Sequence, residues 1–394
     1  MNFKTENNGH TVEFISTPQL LSDCVQYLST TTQLAIDLEF DRDRHAYGFN
    51  LCLIQASAGN RCFIIDPRQP LDCTPLYRLL ENPAQQVLLH SHGEDLRLLH
   101  SLGCRPTNLL DTEIAAKLLG YEKTSLASML EQHLKITLDK SQQKTNWLIR
   151  PLTPAQIIYA SNDVIHLAQL KNILLAEAAA KNRTHWIEEE NTFLSQVLFT
   201  ETVKENFLSS ADRKELSPYD QFLMNEWLKL RDALAAKFNK PSYQVISPET
   251  IRDIISGKAD LNNWLALPGI YRKLKEPHYT DFFIGKHTEI IKAAEANSIS
   301  KVLGHKPFVN PEEWERRKTS NAEKEKAKAE IFLPLKQRLT DNYGAGIASF
   351  ILSNASIDEF IRGDKKISDL KVNYRKQLLQ TIAAELNLDI NPWL

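Results

Sequence analysis

The chain has 394 residues, of which 42% are hydrophobic and 24% charged, with a formal net charge of −2. This length exceeds what one compact core holds, so two or three domains are expected; no apolar run approaches the ~20 residues of a membrane-spanning helix, which excludes such a span. The near-neutral charge gives no global attraction to phosphate, so any nucleic-acid affinity must come from local basic groups or bound cations.

The N-terminus lacks a basic flank leading into an apolar stretch, which makes a cytoplasmic protein the expectation. Strand-like runs are expected at Val12–Ser16, Leu34–Phe40, Asn50–Ala56, Arg61–Asp66 and Val87–His90. The middle three follow closely, with turn signals at Tyr47-Gly48 and Ala58-Gly59-Asn60, and suggest an antiparallel meander. Thr17-Pro18 and Thr153-Pro154 each read as a cap followed by proline at the first helical position, the second opening a long helix towards Ala180. The five cysteines, Cys24, Cys52, Cys62, Cys73 and Cys104, fall within this α/β half without a C-x-x-C pair and read as reduced thiols. From about Lys181 the strand signal fades and helical patterns follow. The dense charge run Glu312–Lys328 reads as the solvated face of a helix.

Three elements carry candidate chemistry. In Leu34-Ala35-Ile36-Asp37-Leu38-Glu39-Phe40, strand alternation puts Asp37 and Glu39 on one face, roughly 6–7 Å apart, a span over which both can reach one divalent cation. A solvent-facing strand edge fits the same pair. In His90-Ser91-His92-Gly93-Glu94-Asp95-Leu96, Asp95 falls in a first helical turn, where the helix dipole favours an acid whether or not it is catalytic. His90 and His92, without further ligands at metal spacing, read as structural. In Tyr159-Ala160-Ser161-Asn162-Asp163 the i, i+4 spacing puts both polar groups on one helix face, which could equally be an exposed stripe that His166 continues.

The ordered combination of D-x-E on a strand, Asp at the next helix start and Y-x-x-x-D on a late helix resembles the DEDD superfamily of 3′→5′ exonucleases, in the branch with tyrosine in the last motif. Glu39-Phe40-Asp41-Arg42-Asp43-Arg44, Leu51-Cys52-Leu53-Ile54-Gln55, Leu110-Asp111-Thr112, Leu138-Asp139-Lys140-Ser141 and Trp147-Leu148-Ile149-Arg150-Pro151-Leu152-Thr153 narrow the resemblance to ribonuclease D, over roughly residues 10–180. It implies an α/β ribonuclease H-like exonuclease domain with a mixed sheet over 1–185, then a helical linker (186–216). An all-α HRDC-like domain (217–300), a second linker (301–322) and a divergent second HRDC-like domain (323–394) would follow. The second module lacks the expected tryptophan near Val372–Leu379.

The resemblance also implies two divalent metal ions, Mg²⁺ or Mn²⁺, held by Asp37, Glu39, Asp95 and Asp163, with Tyr159 orienting the attacking water. The implied partner is RNA with a free 3′ end, trimmed to nucleoside 5′-monophosphates in tRNA or other stable-RNA processing, with no organic cofactor. Lys140 and Arg150 are expected either to contact backbone phosphate or to act as solubilising charge. Trp227 and Trp264, at helical spacing among leucines, read as core. A DNA proofreading or repair exonuclease shares the metal chemistry, and a non-catalytic RNA-binding scaffold is the other alternative. Dinucleotide and nucleotide-triphosphate enzymes are disfavoured, because neither G-x-G-x-x-G nor a G-K-[ST] loop occurs among only 13 glycines.

Overall fold

The computed structural model describes residues 4–200, 204–303 and 311–394. The chain divides into two compact units, one formed by residues 1–39, 51–200 and 314–394, the other by 40–50 and 201–313. The second expected linker, 301–322, lies partly outside the described residues, and from Pro311 it is helical.

The first unit contains a mixed sheet of seven strands in the order β1-β2-β5-β4-β3-β6-β7. These are β1 (Lys4–Asn7), β2 (His10–Ile15), β3 (Gln33–Arg42), β4 (Phe49–Ala58), β5 (Arg61–Ile65), β6 (Gln86–Leu89) and β7 (Leu109–Asp111). Strands β3 and β4 are sheet neighbours joined by residues 43–48, too short for a parallel crossover. With β4 and β5 antiparallel, the expected meander is present. β2 pairs β5, β3 pairs β6 and β6 pairs β7 in parallel, which makes the sheet mixed.

The accompanying helices are α1 (Pro18–Ser29), α2 (Thr74–Leu80), α3 (Gly93–Ser101), α4 (Thr112–Leu119), α5 (Leu126–Leu134), α6 (Pro154–Ile165), α7 (Leu167–Ala180) and α8 (Thr184–Gln196). The long helix expected from Pro154 towards Ala180 is two helices: His166 leaves the helical path at φ −100°, ψ −6° and is buried against the edge of His10. All five cysteines are free and buried. The buried face of α6 packs Ile157, Ala160 and Val164 against Val12, Ile64, Leu53 and Ala35 of the sheet.

The second unit is helical: α9 (Ser210–Glu215), α10 (Pro218–Phe238), α11 (Ser242–Val245), α12 (Pro248–Ile255) and α13 (Pro277–Ala296), with the β3–β4 tip held against α10 by a Tyr47 hydroxyl–Asp232 bond of 2.7 Å. Trp227 and Trp264 are its fully buried centre, as read from their spacing; Phe283 stacks on Trp264 at 3.8 Å between ring centroids. The break after Leu267 depends on Gly269. Its φ is +64°, and a Cβ there would lie 2.6 Å from Ser247 Oγ.

Residues 314–394 return to the first unit. Helix α14 (Pro311–Ala327) runs through a π-turn into α15 (Leu333–Tyr343), followed by α16 (Ala345–Ile351), α17 (Asn354–Arg362) and α18 (Asn373–Glu385). α18 docks on α8: Tyr374 stacks on Trp186 at 4.9 Å, and Glu190 accepts from the Tyr374 hydroxyl and Arg375 Nε, both at 2.6 Å. Among the described residues no helix is long and apolar enough to cross a membrane.

Candidate active site

Strand β3 starts as core and ends as chemistry. Leu34, Ala35, Ile36 and Leu38 are buried, and alternation puts Asp37 and Glu39 on the same face as Ala35, the face that α6 covers. α6 is fixed at its start by a capping box, with the Thr153 side chain accepting from Gln156 N and the Gln156 side chain from Thr153 N. Further along, Asn7 of β1 donates at 2.8 Å to both Ser161 Oγ and Asn162 Oδ1. Clamped at both places, α6 presents Asp163 to β3. Carboxylate oxygens of Asp37, Glu39 and Asp163 lie within 4.8 Å of one another.

Asp95, the third residue of α3, is 8% exposed and does not join this close trio, but its charge acts on Glu39 and that of Asp37 acts on it. Burial and then mutual repulsion drive the acids upward. Burial pushes Asp37 to about 7. Glu39 is raised by burial and by Asp37, Asp163 and Asp95, and Asp163 by burial and Asp37. Asp95 is raised by burial, then by Asp37, Asp111 and Asp163. Tyr159, one turn before Asp163, packs its ring on Trp147 at 5.9 Å; burial, Asp163, Glu39 and Asp37 raise its phenol, so it stays protonated.

An all-oxygen cluster of acids that disfavour one another's ionisation fits a hard divalent cation, which would relieve that repulsion. The neighbouring histidines hold the structure instead. His90 bonds through its two ring nitrogens to Thr112 Oγ1 (2.9 Å) and the Thr124 carbonyl (2.8 Å), and His92 Nδ1 pairs with Asp111.

Lys140 is exposed. Arg150 is engaged within the protein. Its five N–H groups go to Asp66 (two bonds, 2.8 and 2.7 Å) and to the carbonyls of Trp147, Ile149 and Cys52 (2.6, 2.8 and 2.7 Å), so none remains for a phosphate. Asn7 and Asp111, by contrast, organise the site without having been singled out for it. For Asp111 the sequence offered its place in the Leu110-Asp111-Thr112 match and its position before Thr112 as a helix cap.

A family model described as 3′-5′ exonuclease matches residues 12–179. Ribonuclease D of Desulfotalea psychrophila is 30% identical over 277 residues, covering 68% of this chain and 72% of that protein. Ribonuclease D of Shewanella sp. (strain ANA-3) is 36% identical over 193 residues, covering 48% and 50%. In the Shewanella and Zymomonas mobilis alignments the chain spans about half the length of the relative. The crystal structure of Escherichia coli RNase D superposes with a TM-score of 0.66 at 23% identity over 94% of this chain and 98% of that one, which shows a shared fold. The matched region holds all four acids and Tyr159, and the likeness to the Desulfotalea protein extends over most of its length: the chain belongs to the ribonuclease D family.

Proposed function

We propose that this protein is a metal-dependent 3′→5′ exoribonuclease that removes nucleoside 5′-monophosphates from RNA 3′ ends, as in the maturation of tRNA or other stable RNAs. The observation that carries this is the convergence of Asp37, Glu39 and Asp163, with Tyr159 one helical turn from Asp163. Asp37, Glu39 and Asp163 would hold one divalent ion, Mg²⁺ or Mn²⁺, and Asp37 with Asp95 a second. Such ions supply an acidified water and neutralise the charge on the departing 3′-oxygen. The acids themselves are too mutually repelling to attract a phosphodiester, so the residues give the site a cation requirement. Tyr159 remains a neutral hydroxyl and orients the attacking water by hydrogen bonding; with its phenol raised it is not the base.

Incubation with 3′-labelled single-stranded RNA and matched DNA, with Mg²⁺, Mn²⁺ or chelator, tests the proposal. Labelled mononucleotide released at once from RNA, with metal only, is the expected result. Endonucleolytic fragments, DNA preference or chelator resistance would reject it. Tyr159→Phe should lower kcat by about ten- to a hundredfold, the worth of one hydrogen bond to a charged reacting group, with Mn²⁺ affinity nearly unchanged. An unaltered kcat would remove the tyrosine from the mechanism.

A further inference from the structure

Asp111 closes β7 and caps α4, yet most of its bonds reach elsewhere. It is fully buried, and its two oxygens accept from Ser91 N (3.1 Å), His92 N (2.9 Å), His92 Nδ1 and Glu113 N (2.7 Å). Its own N–H donates to Asn191 Oδ1 at 2.6 Å, and Asn191 is fixed on α8 by an Nδ2 bond to the Ile187 carbonyl at 2.8 Å. Burial alone would favour the neutral acid, but the bonds from His92 outweigh it and hold Asp111 below the usual carboxylate range. It is therefore ionised and fully engaged.

The two residues it grips are the link between β6 and α3. Ser91 has φ +68°, a left-handed conformation that a residue with a Cβ keeps only where its surroundings impose it. α3 begins at Gly93 with no side-chain cap of its own, and Asp95 follows two residues later. The bend that aims α3 is thus set by bonds to one carboxylate from a different strand, backed by α8.

We propose that Asp111 is a positioning residue for Asp95: by fixing the Ser91-His92 bend, with Asn191 behind it, it sets where Asp95 stands beside Asp37 and so sustains the second cation position. The proposal rests on the two-ion reading above. It predicts a selective defect. Loss of the Asp111 grip releases Asp95 and leaves Asp37, Glu39 and Asp163 in place, because these are set by β3 and α6.

The test uses the full chain carrying Asp111→Asn and, separately, His92→Phe, which removes one donor and leaves the buried carboxylate with three backbone partners. Mn²⁺ binding by calorimetry should show two ions on the wild type. In Asp111→Asn the weaker site should lose affinity by roughly tenfold or more, the effect of outer-shell substitutions, while the tighter changes less than about threefold. His92→Phe should give a smaller loss at the same site. Without metal, amide exchange at Ser91 and His92 should accelerate about tenfold or more in Asp111→Asn, and that of α6 should not. Equal loss at both ion sites, wild-type binding, or unchanged exchange at Ser91 and His92 would each overturn the proposal. Should Asp111→Asn not fold, unchanged second-site affinity in a folded His92→Phe protein would overturn it equally. A wild type that binds fewer than two ions would instead reject the two-ion reading, and the exchange comparison would then decide the positioning role alone.

Discussion

Asp37→Asn is expected to lower RNA hydrolysis by at least about a thousandfold, since even outer-shell changes cost metal sites ten- to a hundredfold and Asp37 is the acid proposed to touch both ions. The same change should make the metal-free protein more heat-stable at pH 8. Two carboxylates near 4 Å repel by about 4 kcal/mol at an effective dielectric of 20, an upper figure for this partly exposed trio, and asparagine removes that repulsion. The pH dependence has a definite sign. Asp37, Glu39, Asp95 and Asp163 all have folded pKa values above the ordinary carboxylate range, Asp37 at about 7. The folded chain thus binds their protons more tightly than the unfolded chain. Their contribution to stability is fully present below pH 4 and is lost as pH rises through the folded values. Added Mn²⁺ should therefore raise the melting temperature more at pH 8 than at pH 5.5, and far less in Asp37→Asn. A cation-insensitive wild type, or an active variant, would contradict the assignment.

Local patterns carried most of what the sequence revealed. The alternation around Asp37 and Glu39 and the Thr153-Pro154 cap are short-range features, and each fixes which way a candidate carboxylate faces. The buried Trp227 and Trp264 were legible for the same reason. β1 and β7 were not. The first is a half-exposed edge strand, Lys4-Thr5-Glu6-Asn7, without an apolar run, and the second has three residues. The helix break at His166 is also invisible in a continuous apolar pattern, because it depends on where a buried ring packs. The partners of polar groups were the least legible. Asp111 meets Asn191 from 80 residues away and Arg150 meets Asp66 from 84, separations at which the sequence offers only residue type. Both participants in the Glu190–Arg375 pair were likewise ordinary helix-surface charges until α18 docked on α8.

Arg150→Ala is expected to destabilise the protein by about 3–5 kcal/mol, the range for breaking a buried ion pair on one side. Asp66 has no exposed side-chain surface, while the Arg150 side chain is 19% exposed. Burial pushes the Asp66 carboxyl up, but the hydrogen bonds from Arg150 and Gln69 prevail and hold it below its ordinary value. Without the guanidinium, Asp66 must either ionise unpaired or take up a proton, and the carbonyls of Cys52, Trp147 and Ile149 each lose a donor. Arg150→Lys should rescue little, because one ammonium cannot reproduce five N–H bonds in a planar fork. Because a depressed pKa stabilises the folded state only above the unfolded value, the gap between wild type and Arg150→Ala should be full at neutral pH and narrow as pH falls below about 4. Thermal unfolding read together with kinetics separates support from substrate contact. At a temperature where Arg150→Ala is still folded, KM for short RNA should match the wild type despite the lower melting temperature. A raised KM with wild-type stability would return Arg150 to the phosphate backbone of the substrate.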